Sequence, residues 1–189
     1  NMRVISGLYK GRRLKAPEGL QVRPTSDRLR ETLFNVLSSS IEGARLVDLC
    51  AGTGAVGIEA LSRGAAHVTF IETSRTAANV IEDNLKHCGI TENFKIISRD
   101  AVSTIKYFSH HLLQYDLFYL DPPYDSDLYD LILNALAKSK IIAEEGVVVV
   151  DVGLRRLVRR PAVVLGGQEV AQRGHRAGNR RADGQELHD

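Results

Sequence analysis

Residues 45–60 read RLVDLCAGTGAVGIEA, and the reading of this stretch decides the fold. A short apolar run, RLVDLC, leads into glycines at 52, 54 and 57 and then into the helix-forming run AVGIEALSRG. Strand, glycine turn and helix in that order open a βαβ unit. Glycines at G-x-G-x-x-G spacing let the backbone turn tightly, and the free amides at the start of the helix face a ligand. Taken alone, the turn fits a dinucleotide cofactor, an adenosyl cofactor or an ordinary strand-to-helix connection.

Downstream the alternation repeats. The run HVTFIE is followed by a helix SRTAANVIEDNLKHCG, FKIIS by a helix RDAVSTIKYFSHHL, DLFYL by a helix SDLYDLILNALAKS, and the series closes on GVVVVD. Strands alternating with helices of this length predict a doubly wound α/β fold, a mostly parallel Rossmann-like sheet with helices on both faces. Upstream, RPTSDRLRETLFNVLSSS carries Pro24, candidate caps Thr25 and Ser26, and apolar residues Leu29, Leu33, Phe34, Val36 and Leu37 near helical spacing. That pattern predicts a helix of about three turns.

With 189 residues, 43% hydrophobic and 25% charged, the chain has the size and composition of one globular domain. No apolar run approaches a membrane span, and the start does not read as a signal peptide. Cys50 and Cys88 lie in no metal-ligand spacing and read as reduced thiols, which predicts a cytoplasmic protein without a metal. The net charge is only +2, yet residues 1–30 hold eight basic side chains, Arg3, Lys10, Arg12, Arg13, Lys15, Arg23, Arg28 and Arg30, against two acids. A basic end on a near-neutral chain fits a polyanionic partner or a solvated face.

Acids narrow the ligand of the glycine turn. Glu72 ends the second strand, where a carboxylate takes ribose hydroxyls in either kind of nucleotide site. Asp48 lies near the end of the first strand, where it would repel a pyrophosphate and suits a cation. S-adenosylmethionine is the common nucleoside cofactor with that charge. Asp100, just after the third strand, is placed to accept from the adenine amino group, with Ala51 and Ala101 beside the two turns.

VDLCAGTGAVGIEALSRGA followed by DPPY at 121–124 resembles the class I S-adenosylmethionine-dependent methyltransferases that modify exocyclic or amide nitrogens. With the start MRVISGLYKGRRLKAPEGLQVRPTSDRLRETLFNVL, residues 2–150 are similar to the RsmD-type 16S ribosomal RNA guanine-N2 methyltransferases. The resemblance implies that DPPY sits at the carboxyl end of the fourth strand beside the cofactor, and that the block from Arg23 to Arg30 borders the active site. It implies contacts from Arg3, Lys10, Arg12, Arg13, Arg23, Arg28 and Arg30 to 16S rRNA, within an assembling 30S particle, and a monomer or weak dimer.

The residue types suit the chemistry. An exocyclic amine is a poor nucleophile because its lone pair is delocalised into the ring. Two acceptors for its N–H groups, the Asp121 carboxylate and the Pro122 carbonyl, favour pyramidal geometry and localise that pair. Pro122 and Pro123 offer no competing amide donors and fix φ, and the Tyr124 ring gives the base a stacking wall. The same clamp would serve an adenine-N6 DNA enzyme or a protein-glutamine enzyme. A nicotinamide oxidoreductase accounts for the glycines but not for DPPY. A non-enzymatic RNA-binding protein on this scaffold accounts for the basic start but not for the intact site.

The chain divides into a basic segment and helix at 2–44, a cofactor-binding catalytic core at 45–151, and an Arg/Gly-rich tail at 152–189. The tail holds eight arginines and no lysine, with little alternation outside AVVL. It reads as an RNA-binding tail, a disordered tail, or a coding frame read out of register or entered wrongly, and it leaves the family's antiparallel edge hairpin in doubt.

Overall fold

In a computed structural model, residues 2–16, 27–123, 127–151 and 162–165 are described. The alternation read from the sequence folds as expected into one sheet of order β3-β2-β1-β4-β5-β6. Its strands are β1 Arg45–Asp48, β2 His67–Ile71, β3 Phe94–Ile97, β4 Tyr115–Leu120, β5 Ile142–Val150 and β6 Ala162–Leu165. The first five are parallel, and the order reverses between β1 and β4, which pair directly. Ligands in such sheets bind in the crevice at this reversal, outside the carboxyl ends of the strands.

Side chains alternate between two cores, as pleating requires. Leu46, Val68, Phe70, Leu117, Tyr119, Val147 and Val149 face one. Val47, Leu49, Ile71, Phe118, Leu120, Val148 and Val150 face the other. Helices α3 Ala55–Ser62 and α4 Arg75–His87 feed the first core, whereas α5 Ala101–His110 and α6 Leu128–Lys138 feed the second. No helix among the described residues is long and apolar enough to cross a membrane.

Three local differences have physical causes. The single helix expected before β1 is divided into α1 Asp27–Val36 and α2 Ser38–Ile41. The break precedes three consecutive serines, whose hydroxyls compete for backbone partners and weaken a helix. β5 begins at Ile142, ahead of the apolar run, and its register on β4 shifts between Tyr115 and Leu117. Of the antiparallel edge left in doubt by the tail, one strand is described: β6 pairs with β5, Val147 opposite Leu165 and Val150 opposite Ala162. AVVL, rich in β-branched residues, has the propensity for it. The remainder of the tail lies outside the described residues.

The basic start contains a feature that its composition hides. Arg3 and Arg13 bridge in antiparallel fashion, with Val4 N–H donating to the Arg12 carbonyl at 2.9 Å and Leu14 N–H to that of Met2 at 2.9 Å. This arm lies on α3, all eight residues of which are buried. A helix buried on every side, Glu59 and Ser62 included, is one covered on both faces. At Gly7, φ is +83° and an added Cβ would meet the Ser62 carbonyl oxygen at 1.8 Å, so only glycine lets the arm approach this closely.

Candidate functional site

Four parallel neighbours, β2, β1, β4 and β5, each present a carboxylate at the carboxyl end of the sheet. Glu72 follows β2, Asp48 ends β1 between Phe70 and Tyr119, Asp121 follows β4, and Asp151 follows β5. The Asp151 N–H donates to the Leu120 carbonyl at 2.9 Å, which fixes it beside Asp121. Its Oδ2 accepts from the Tyr119 hydroxyl at 3.2 Å. The glycine turn closes the same crevice from above β1.

The turn is held in a shape that L side chains resist. Gly52 and Gly54 have φ of +55° and +77°. Gly57 serves packing instead: a Cβ there would meet Phe70 Cε1 at 2.3 Å and Val68 Cγ1 at 2.8 Å. The Glu72 carboxylate ties the turn to β2, accepting from Gly52 N–H at 2.8 Å and Ser74 N–H at 2.9 Å. Each of its oxygens keeps acceptor capacity for a ligand hydroxyl. Ala51 is buried, its N–H donating to the Ile71 carbonyl at 3.0 Å.

Burial and crowding raise two of these carboxyls, Asp48 and Asp121. Burial, then Asp121 and Glu72, push the Asp48 carboxyl up to about 8 against hydrogen bonds from the backbone of Cys50 and Gly57. Burial, then Asp151, raise Asp121 to about 7. Burial and the same acids push the Cys50 thiol up to about 12, so it stays protonated and is no nucleophile. Asp48 is 1% exposed and its Oδ1 has no hydrogen-bond partner. A buried acceptor left unpaired beside other acids is complementary to a ligand that brings positive charge.

Asp100 lies at the start of α5 and caps it, Oδ1 accepting from Ser103 N–H at 2.8 Å. The hydrogen bonds from Ser103 hold its carboxyl below the usual range. Ala101, the first residue of α5, is buried beside it. Asp121 to Pro123 follow β4 where the motif was expected; Tyr124 and Arg23 lie outside the described residues.

The basic residues divide. Arg3, Lys10, Arg13 and Arg28 are exposed. Arg12 is exposed too, but its guanidinium donates to the Cys88 carbonyl and lies over the Tyr9 ring at 5.1 Å, so part of its role is to hold the arm. Arg30 was expected at the RNA and is not there: it is 0% exposed, donating to the Arg3 carbonyl at 2.8 Å and to Asp27 Oδ1 at 2.5 Å. It fastens α1 to the arm. The His110–His111 pair ends α5 as a polar terminus, His111 Nδ1 lying 2.8 Å from the Tyr107 carbonyl.

Sequence reading missed Asp151, Glu59 and Asn84. The acid closing GVVVVD was a signal for Asp151, because it repeats the pattern of Asp48 and Glu72 at strand ends. Glu59 and Asn84 sit inside helical runs as ordinary polar letters, and only the folded arm reveals their partners.

A family model described as "Conserved hypothetical protein 95" matches residues 2–163. This chain belongs to that family. Its relatives include ribosomal RNA small subunit methyltransferase D of Escherichia coli, 35% identical over 79% of this chain and 74% of the relative. The protein of that name from Haemophilus influenzae is 34% identical over 79% of this chain and 78% of its own. Among solved structures, "Putative methyltransferase yhhF" from Escherichia coli superposes with a TM-score of 0.70 at 36% identity, covering 78% of this chain and 80% of that one. The RsmD-type resemblance and the doubly wound methyltransferase fold expected of the motifs both hold for this member of the conserved hypothetical protein 95 family.

Proposed function

We propose that this protein transfers a methyl group from S-adenosylmethionine to the exocyclic N2 amine of a guanine in small-subunit ribosomal RNA. One observation carries the reading: Asp48, Glu72 and Asp121 converge at the sheet reversal, with a buried Asp48 oxygen unpaired beside a left-handed glycine turn. The relatives named for small-subunit rRNA methylation support the choice of RNA, as do the exposed Arg3, Lys10, Arg13 and Arg28. The cytoplasm, where ribosomal subunits assemble, is the compartment this substrate requires.

S-adenosylmethionine supplies a methyl group made electrophilic by its sulfonium. Within the chain, Glu72 would hold the ribose hydroxyls, the second oxygen of Asp100 would take the adenine amino group beside Ala101, and Ala51, Gly52 and Gly54 would let the backbone approach. Asp48 meets the positive charge of the methionyl end. Asp121 and the Pro122 carbonyl accept the two N–H groups of the target amine and localise its lone pair. Pro123 keeps the segment without donors, and Tyr124, outside the described residues, is the residue proposed as the ring's wall. Methylation would leave a cationic amine nitrogen and a neutral thioether. With its carboxyl near 7, Asp121 is matched to taking the proton that the amine then releases.

The test is transfer of label from S-adenosylmethionine to unmodified small ribosomal subunits, their purified RNA, duplex DNA and a glutamine peptide. Incorporation is expected in the ribosomal substrates. Incorporation only in DNA or peptide would reassign the clamp to another amine.

A further inference from the structure

Asn84 lies inside α4, which packs behind the glycine turn, and is 0% exposed. Asparagine is a weak helix former, and a buried one must find partners for its amide. Its Oδ1 accepts from Lys15 N–H at 2.8 Å, while Nδ2 donates to the Lys15 carbonyl at 3.0 Å and to the Thr53 carbonyl at 3.0 Å. One side chain thus pairs with the end of the basic arm in the manner of a strand and with the middle of the glycine turn.

Thr53 stands between the two left-handed glycines and is itself buried. The peptide unit that joins Thr53 to Gly54 is held at both ends, its carbonyl by Asn84 and its N–H by the Ala51 carbonyl at 2.8 Å. The Thr53 hydroxyl also lies 3.7 Å from Met2 Sδ, a second link from turn to arm. Between Met2 and Lys15 the arm exposes Arg3, Lys10 and Arg13. The backbone that would hold cofactor and the backbone that carries these cations therefore share one buried amide.

We propose that Asn84 is a positioning residue that couples the cofactor turn to the basic arm, so that cofactor and RNA bind cooperatively; this rests on the methyltransferase reading above. A turn ordered by ligand fixes the Thr53 carbonyl, which fixes the Asn84 amide, which fixes Lys15 and the arm. The thermodynamic effect is reciprocal: RNA held by the arm tightens the cofactor by the same factor.

The experiment measures the Kd of S-adenosylhomocysteine with and without unmodified small ribosomal subunits, in wild type and in Asn84→Asp. Aspartate keeps the size and the acceptor for Lys15 N–H but loses both donors. Wild type should bind the cofactor product about tenfold tighter with the RNA present, and the variant should bring that ratio to within about twofold of one. Hydrogen exchange of wild type alone supplies a readout that needs no variant: S-adenosylhomocysteine should slow the Leu14 and Lys15 amides about tenfold. Equal affinities with and without RNA in wild type, an undiminished ratio in Asn84→Asp, or unchanged exchange in the arm would each overturn the coupling. No binding of S-adenosylhomocysteine under any condition would overturn the methyltransferase reading itself, a separate outcome.

Discussion

The sharpest consequence of the crevice is that cofactor binding depends on pH through Asp48. With its carboxyl at about 8, Asp48 is about 1% ionised at about pH 6 and about half ionised at about pH 8. A cationic ligand selects the ionised form, so its apparent Kd scales inversely with that fraction and tightens about 50-fold across the interval, about 2.3 kcal/mol. The assay is calorimetric titration with S-adenosylmethionine at several pH values, in buffers of different ionisation enthalpy, for wild type and Asp48→Asn. The ligand's own ammonium titrates identically against both proteins, so the ratio of their affinities isolates the carboxylate. Wild type should release close to one proton per ligand at about pH 7 and should gain on the variant as pH rises. A ratio that stays constant across the range, with no proton release, would refute the reasoning.

The same buried acid makes a prediction for folding. Its folded pKa of about 8 exceeds the unfolded value of about 3.9, so stability present below about pH 4 is lost progressively as pH rises through about 8. Thermal melts without ligand should fall across that window, and Asp48→Asn should flatten the fall. Asp121→Ala should cut the rate of transfer by about 1000-fold with little change in cofactor Kd, and wild-type turnover should rise through about pH 7 as Asp121 ionises, read in a single-turnover assay. Gly57→Ala should destabilise the protein by about 1 to 3 kcal/mol, because its methyl group would meet the ring of the fully buried Phe70; a chemical denaturation curve measures it. Lys10→Ala and Arg13→Ala should each lower the salt dependence of RNA binding by about one unit of slope, while Arg30→Ala should lower the melting temperature instead.

The parallel sheet and its crevice were legible because both rest on local patterns. Apolar runs ending in Asp48, Glu72 and Asp121 mark strands and their carboxyl ends at once, and glycines at 52, 54 and 57 leave a spacing that few other structures demand. What escaped reading depends on chain segments far apart in sequence. Arg30 has the same letter as Arg28, yet one turns inward to the Arg3 carbonyl and the other outward to solvent, a choice made by helix phase and by where the arm lies. In the sequence Glu59 is only the one acid of a short helical run. It is buried, accepting from the N–H groups of Ile5 and Ser6 at 2.8 and 3.0 Å and from Arg63 at 2.8 Å. No period in either segment announces that pairing, since the contact spans 54 residues. The edge strand β6 was discounted for the opposite reason: the composition of its surroundings outweighed four residues with clear strand propensity.

Methylation is expected at one atom, the N2 nitrogen of a guanine. It is tested most directly by incubating the protein with labelled S-adenosylmethionine and unmodified small ribosomal subunits, digesting the RNA to nucleosides, and identifying the labelled product by mass spectrometry. Label is expected in N2-methylguanosine and should be abolished in Asp121→Ala. Label in any other nucleoside, or none in RNA while the cofactor binds, would contradict it.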